Sequence, residues 1–191
     1  MKKLSTILLS IYILTFCQAC ATQPHENNDS KIYVYGNMIN PYIDIMIDVE
    51  SDRASFFVGE FVFDAGMCTA SSNPEYHCFF ASNGNGYFIY YFAVPKSIAL
   101  NENARWKLND VQFSVVDNLD LFWQETRSDF WVIKGVAEDE PDSRELLFVY
   151  NGEYGLIALF ENLDTATTYE GVNFTSESFF LLSGPAGFGA E

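Results

Sequence analysis

The stretch from Tyr42 to Val49 constrains the fold most, because its residues alternate in polarity with a period of two. Every second residue from position 43 is aliphatic, and the residues between them are Tyr42, Asp44, Met46 and Asp48. Successive side chains of a β-strand point to opposite faces, so this pattern predicts a half-buried strand.

Nine further short runs are rich in β-branched or aromatic residues and are bounded by Gly, Asn, Asp or Pro, as strands are. They are Ile32–Tyr35, Ser55–Phe63, Cys78–Ala81, Tyr87–Val94, Val111–Val116, Phe130–Val136, Glu145–Tyr150, Tyr154–Phe160 and Ser178–Leu182. No long segment carries apolar residues at helical spacing, and Pro95–Asn103 is a short helix candidate. We therefore predict an all-β domain of antiparallel strands, a sandwich or a barrel. The alternative is a β-rich α+β domain with one short helix.

Glycine-rich segments mark the predicted turns and the C-terminus. Asn151-Gly152 stands between two predicted strands and is a hairpin signal, as is Asn83–Gly86 between two others. The tail Gly184–Gly189 is too rich in glycine for a strand interior. We expect it to be a frayed end, with an ordered cap anchored by Phe188 as the alternative.

The N-terminus has the layout of a secretory signal segment. Lys2-Lys3 is a short basic start, the run Leu4–Phe16 is apolar, and small residues bracket the cysteine in Ala19-Cys20-Ala21. The apolar run is shorter than the roughly 20 residues that a membrane-spanning helix needs. We predict that residues 1–20 are a signal segment and that the protein is exported.

This segment also resembles the precursor of a bacterial lipoprotein, in which a cysteine preceded by a small residue becomes a lipidated N-terminus. Ala19 and Cys20 carry the resemblance, which implies lipidation of Cys20 and anchoring in the envelope. Cleavage that leaves Thr22 first is the alternative. Residues 21–31 are polar and are expected to be a tether, followed by a single β-rich domain over 32–191. The expected location is the periplasm or the periplasmic face of the outer membrane, with membrane contact only through the lipid.

The predicted domain contains two cysteines, Cys68 and Cys78, with nine residues between them. In an exported chain such a pair is most simply a disulfide. Closing this short loop should stabilise the fold by about 3 kcal/mol. A reactive or metal-binding pair is the alternative, but His77 is the only further zinc ligand of the usual type beside it.

Catalytic chemistry has little support in the sequence. His77 is the one histidine outside the tether, and no Gly-x-Ser-x-Gly, His-Glu-x-x-His or Gly-x-Gly-x-x-Gly motif is present. Trp106, Trp123 and Trp131 could stack on sugar rings, but a strand aromatic is more often core. Acidic runs at Asp48–Asp52 and Glu138–Asp142 are interpreted as solvated turns rather than calcium sites. We name no catalytic residue, metal ligand or cofactor, and whether the protein is an enzyme stays uncertain, with the balance against it.

Charge decides between classes of partner. The chain has 10 basic and 26 acidic residues and a net charge of −16, which argues against binding nucleic acid or an anionic membrane surface. Removal of the signal segment takes away two lysines and brings the charge to −18. We therefore expect an exported acidic binding module with a basic protein partner. The alternative is a carrier of a small apolar ligand in an aromatic-lined β-barrel, since the chain has 18 Phe and 11 Tyr.

Overall fold

The structure is a computed structural model that describes residues 32–39, 42–49, 53–58, 61–68, 73–82, 88–97, 99–137, 145–162, 167–169, 172–174 and 177–190. The predicted signal segment, the lipidation site Cys20 and the polar tether lie outside the described residues. The acidic run Glu138–Asp142 lies outside them as well, as do residues 50–52 of the other acidic run.

All regular secondary structure within the described ranges is β-structure, so the prediction of an all-β fold is confirmed. No helix in this part of the chain has the length and apolar character needed to cross a membrane. The strands are β1 (Ile32–Asn37), β2 (Ile43–Asp48), β3 (Arg53–Val58), β4 (Phe61–Met67), β5 (Tyr76–Ser82), β6 (Phe88–Pro95), β7 (Arg105–Leu108), β8 (Val111–Trp123), β9 (Thr126–Ala137), β10 (Glu145–Asn151), β11 (Gly155–Asn162), β12 (Thr167–Tyr169), β13 (Val172–Phe174) and β14 (Glu177–Leu182).

Twelve strands form one antiparallel sheet in the order β6-β5-β4-β3-β2-β1-β14-β11-β10-β9-β8-β7, and β12 pairs with β13 in a separate sheet. Most neighbours in the large sheet are consecutive along the chain, as in hairpins. The exception is β14, which lies between β1 and β11 and so joins the first and second halves of the chain.

The chain divides into two compact units. Of the first unit the structure describes residues 120–128, the end of the β8–β9 hairpin. There the Arg127 guanidinium and the Asp120 carboxylate form an ion pair at 2.8 Å. The second unit comprises residues 30–119 and 129–191 and contains the rest of the large sheet.

Within the second unit the sheet curls into a nearly closed barrel. Its end strands β6 and β7 come together where the indole N–H of Trp106 donates to the carbonyl oxygen of Ala93 at 3.0 Å. The same indole ring stacks on Phe113, 5.6 Å between centroids. The sequence left sandwich and barrel open, and the contact between the end strands identifies the barrel. Trp106 is a core residue here.

Two predicted elements are corrected by the structure. Ser55–Phe63, predicted as one strand, is two strands paired as a hairpin, with Val58 opposite Phe61. The sequence places Gly59 and Glu60 between these partners, and the surrounding apolar residues concealed the break. The helix candidate Pro95–Asn103 is not helical at its described residues, because Pro95 ends β6 and Ala104 N–H bonds back to the Asn101 carbonyl.

Strand ends and three short strands were also missed. β8 and β9 extend well beyond Val111–Val116 and Phe130–Val136, and β7, β12 and β13 were not predicted. Strands of three or four residues are too short for a period of two to be recognised in a sequence. The hairpin predicted at Asn151-Gly152 is confirmed, since Asn151 pairs with Gly155.

Candidate binding surface

Aromatic rings fill the interior of the second unit. On β6, Phe92 contacts Phe148 with ring centroids 5.3 Å apart. The neighbouring Tyr91 contacts the same Phe148 ring at 6.5 Å and Phe113 at 6.1 Å, and its hydroxyl donates to the Gly135 carbonyl at 3.2 Å. Every residue of β6 from Tyr90 to Pro95 is buried, although β6 ends the sheet order. These rings occupy the space in which an apolar ligand of a barrel carrier would lie.

The C-terminal tail is ordered and packs into the same interior. Phe188 is buried and its ring contacts the rings of Phe79 and Phe92, at 6.2 Å and 6.1 Å. Its amide N–H donates to the hydroxyl of Tyr35 at 2.9 Å. The expectation of a frayed end is wrong, and the alternative of an ordered segment anchored by Phe188 is correct.

Close backbone approach explains why the tail is rich in glycine. A Cβ on Gly187 would collide with the carbonyl group of Leu156 on β11. The N–H of Leu156 donates to the Phe188 carbonyl at 2.9 Å, and the N–H of Gly187 donates to the Tyr154 carbonyl at 2.7 Å. The tail thus lies directly against the start of β11, where a side chain at position 187 has no room.

Burial also changes the titration of the tyrosines beside the tail. Desolvation raises the pKa of Tyr35 far above its ordinary value of 10.0, while the Phe188 N–H lowers it and the charge of Tyr33 raises it. Burial likewise raises the pKa of Tyr33. Both hydroxyls are therefore neutral over the physiological range.

The cysteine pair and His77 lie at one place in the fold. Cys68 and Cys78 form a disulfide with their Cα atoms 5.1 Å apart, and the Cys68 N–H donates to the Cys78 carbonyl. The ring of His77, on β5, contacts the ring of Phe188 at 6.1 Å. No group of three His, Cys, Asp or Glu residues within the described ranges could hold a metal ion. His77 is thus a packing residue of the wall against which the tail lies.

Exposed apolar side chains are concentrated at the start of the domain. Among the described residues, seven large apolar side chains are exposed, and five of these seven lie between positions 32 and 42. We call these five the β1–β2 patch: Ile32, Val34, Met38, Ile39 and Tyr42, with 45%, 40%, 51%, 55% and 75% of their surface accessible. Contiguous exposed apolar surface on a soluble domain is typical of an interaction site.

Strand register places a carboxylate inside this patch. Val34 pairs with Met46 and Gly36 pairs with Asp44, and all four residues are on the outer face, because the alternate residues of both strands are buried. Asp44 therefore lies between Val34 and Met46 on one side and the exposed Met38, Ile39 and Tyr42 on the other. At the far end of β2, Asp48 lies on the same face, opposite Ile32.

The sequence contained part of the signal for this surface. Alternation assigned Tyr42, Asp44, Met46 and Asp48 to one side of β2, and the structure confirms that the other side, with Ile45 and Ile47, is buried. Tyr42 and Met46 alternate with Asp44 and Asp48 on the outer side, so this side carries both apolar and acidic residues. The pairing of Asp44 with Gly36 was not predictable, because it depends on the register between β1 and β2.

Comparison of the chain with known protein families, with curated protein sequences and with solved structures finds no match.

Proposed function

We propose that this protein is an exported acidic binding module that captures a basic protein partner on the β1–β2 patch. The observation that carries the proposal is the concentration of exposed apolar side chains around Asp44. Apolar contact area supplies affinity in a protein interface, and charge selects the partner and accelerates its approach.

The sign of the charge defines the partner. With 26 acidic against 10 basic residues, the chain attracts cationic proteins over distances comparable to the Debye length. Two of its basic side chains are engaged internally, since Lys134 is bonded to Glu145 and Arg127 to Asp120. A basic partner with an apolar contact face fits both the charge and the patch.

The filled interior favours surface binding over the carrier function. Phe79, Phe92, Phe113, Phe148 and Phe180 are fully buried, and all but Phe180 contact at least one other of these phenylalanines. Phe180 contacts the ring of Tyr90 at 5.6 Å. A ligand in the barrel would have to displace these rings or the tail residue Phe188, and native protein interiors are close-packed.

The proposal includes export, and the disulfide supports export. The Cys68–Cys78 bond is the kind of cross-link that persists in an oxidising compartment. We propose that the protein acts at the cell envelope, either soluble in the periplasm or held by lipid on Cys20.

Affinity capture from the native envelope, at low and at high salt, tests the proposal. We expect a basic protein to be retained at low salt and lost at high salt, because screening weakens attraction between exposed charges. Native mass spectrometry of the same preparation addresses the carrier alternative. Retention of the same proteins at both salts, or a bound small molecule and no basic protein, would contradict the proposal.

A further inference from the structure

The outer face at the centre of the β1–β2 patch contains a position without a side chain. Gly36 lies on β1 directly opposite Asp44. A Cβ built on Gly36 would have the Asp44 carboxylate oxygen Oδ1 as its nearest neighbour, 3.7 Å away. The carboxylate therefore borders a shallow depression whose floor is the Gly36 backbone.

Apolar side chains surround this depression. Val34 lies two residues before Gly36 on β1. Leu181 of β14 pairs with Gly36 on the other side of β1 from Asp44. Met38 and Ile39, both exposed, follow Gly36 and Asn37 in the chain. The N–H of Ile39 donates to the side-chain oxygen of Asn37 at 2.9 Å, which holds this segment in place. A carboxylate beside a depression with apolar walls matches a side chain that has an aliphatic stem and a cationic end.

We infer that Gly36 and Asp44 form the anchoring site for one arginine or lysine side chain of the basic partner. The stem lies over Gly36 against Val34, and the cation donates to the Asp44 carboxylate. Charge-assisted hydrogen bonds of this kind are stronger than neutral ones. The inference rests on the proposed function and adds the point at which the partner is held.

Gly36 allows a test that leaves the fold intact. Its backbone does not have a positive φ and an added Cβ meets only an ordinary contact, so the backbone accepts a side chain there, and valine suits a strand. Gly36→Val would cover the floor of the depression. Gly66 on β4 is the matched control, because it is exposed, lies within a strand and has open space around its Cβ, with the nearest atom 3.9 Å away.

The probe is a short synthetic peptide with one arginine between two valines, and the same peptide with glutamine in place of arginine. Binding to the full mature chain is followed by titration in nuclear magnetic resonance, with the amides of Gly36 and Asp44 as reporters. We expect affinity to fall about tenfold for the glutamine peptide and for the Gly36→Val and Asp44→Asn variants, as the loss of a charged hydrogen bond implies. Gly66→Val and Asp129→Asn, the latter at an exposed carboxylate of β9, should bind as the wild type does.

Two results would overturn the anchoring site, and the envelope capture shows whether the proposed function fails with it. Equal affinity of the Gly36→Val and Gly66→Val variants, or no binding of the arginine peptide by the wild type, would overturn the anchoring site. If the envelope capture still retains a basic protein at low salt, the proposed function survives that failure. If the capture retains none, both fail.

Discussion

The hydroxyl oxygen of Tyr35 accepts a hydrogen bond from the amide of Phe188 at 2.9 Å, between residues 153 positions apart in the chain. The same hydroxyl donates to the carbonyl oxygen of Leu156 at 2.9 Å. One buried side chain of β1 therefore joins the C-terminal tail to β11. Since β1 also carries the exposed residues Ile32 and Val34 on its other face, the contact links the filled interior to the strand that forms the patch.

Replacing Tyr35 with phenylalanine should destabilise the protein by about 1 to 3 kcal/mol, because the Leu156 carbonyl and the Phe188 N–H lose a buried partner. Urea denaturation measures the change. Tyr42→Phe is the control, since Tyr42 is 75% exposed and its replacement should change stability by less than about 0.5 kcal/mol. A Tyr35→Phe variant as stable as the Tyr42→Phe variant would contradict the role of this hydroxyl.

The titration of Tyr35 predicts how stability depends on alkaline pH. Burial raises the pKa of Tyr35 in the folded state, so the unfolded chain loses this proton first, near the ordinary value of 10.0. The contribution of Tyr35 to the free energy of unfolding should therefore be constant below about pH 10. Above that pH it should fall by up to about 1.4 kcal/mol per pH unit. Denaturation at a series of pH values measures the slope, which should be shallower in Tyr35→Phe. If the free energy of unfolding falls with pH equally in the wild type and in Tyr35→Phe, the ionisation of Tyr35 is not the cause of the fall.

Removal of the disulfide should lower the free energy of unfolding by about 3 kcal/mol, since the cross-link restricts the unfolded chain. The variant Cys68→Ser/Cys78→Ser, compared with oxidised wild type in urea, measures this change. Reduced wild type serves as the control and should match the double variant. If oxidised and reduced wild type unfold at the same urea concentration, the stabilising role of the bond is refuted.

The turn of the β8–β9 hairpin should be strained. Gln124 and Glu125 have φ values of 48° and 65°, the left-handed region that a two-residue hairpin of this type requires and that glycine adopts most readily. Glu125→Gly should therefore stabilise the hairpin by about 0.5 to 1 kcal/mol, measured by hydrogen exchange of its amides. Glu153→Gly is the matched control in the β10–β11 turn, where φ is not positive, and it should be neutral or destabilising. Faster exchange in Glu125→Gly would contradict the strain.

Residue patterns predicted the parts of the fold that depend on one strand at a time. Alternation identified β2 and its buried side, with Ile45 and Ile47. It failed for β6, where Tyr91 and Phe92 are both buried, because both rings contact Phe148 of β10, which only the curled sheet brings against that strand. Local composition also suggested a frayed tail, whereas Phe188 is fixed by Tyr35, a contact between the two ends of the domain.

Prediction of the candidate surface was also limited because the surface depends on contacts between different strands. The sequence gives Asp44 as one carboxylate among 26 acidic residues. What distinguishes Asp44 is its register opposite Gly36 and its position among exposed apolar side chains, which depends on strand pairing and on the β1–β2 connection.

The most direct measurement compares envelope proteins captured at low salt by the wild type, by Gly36→Val and by Gly66→Val. We predict that the wild type and Gly66→Val retain the same basic protein, and that Gly36→Val retains much less of it at equal loading. Circular dichroism and thermal unfolding of the three proteins establish that all are folded. Capture that yields no basic protein with the wild type would contradict the claim that this protein is an acidic binding module.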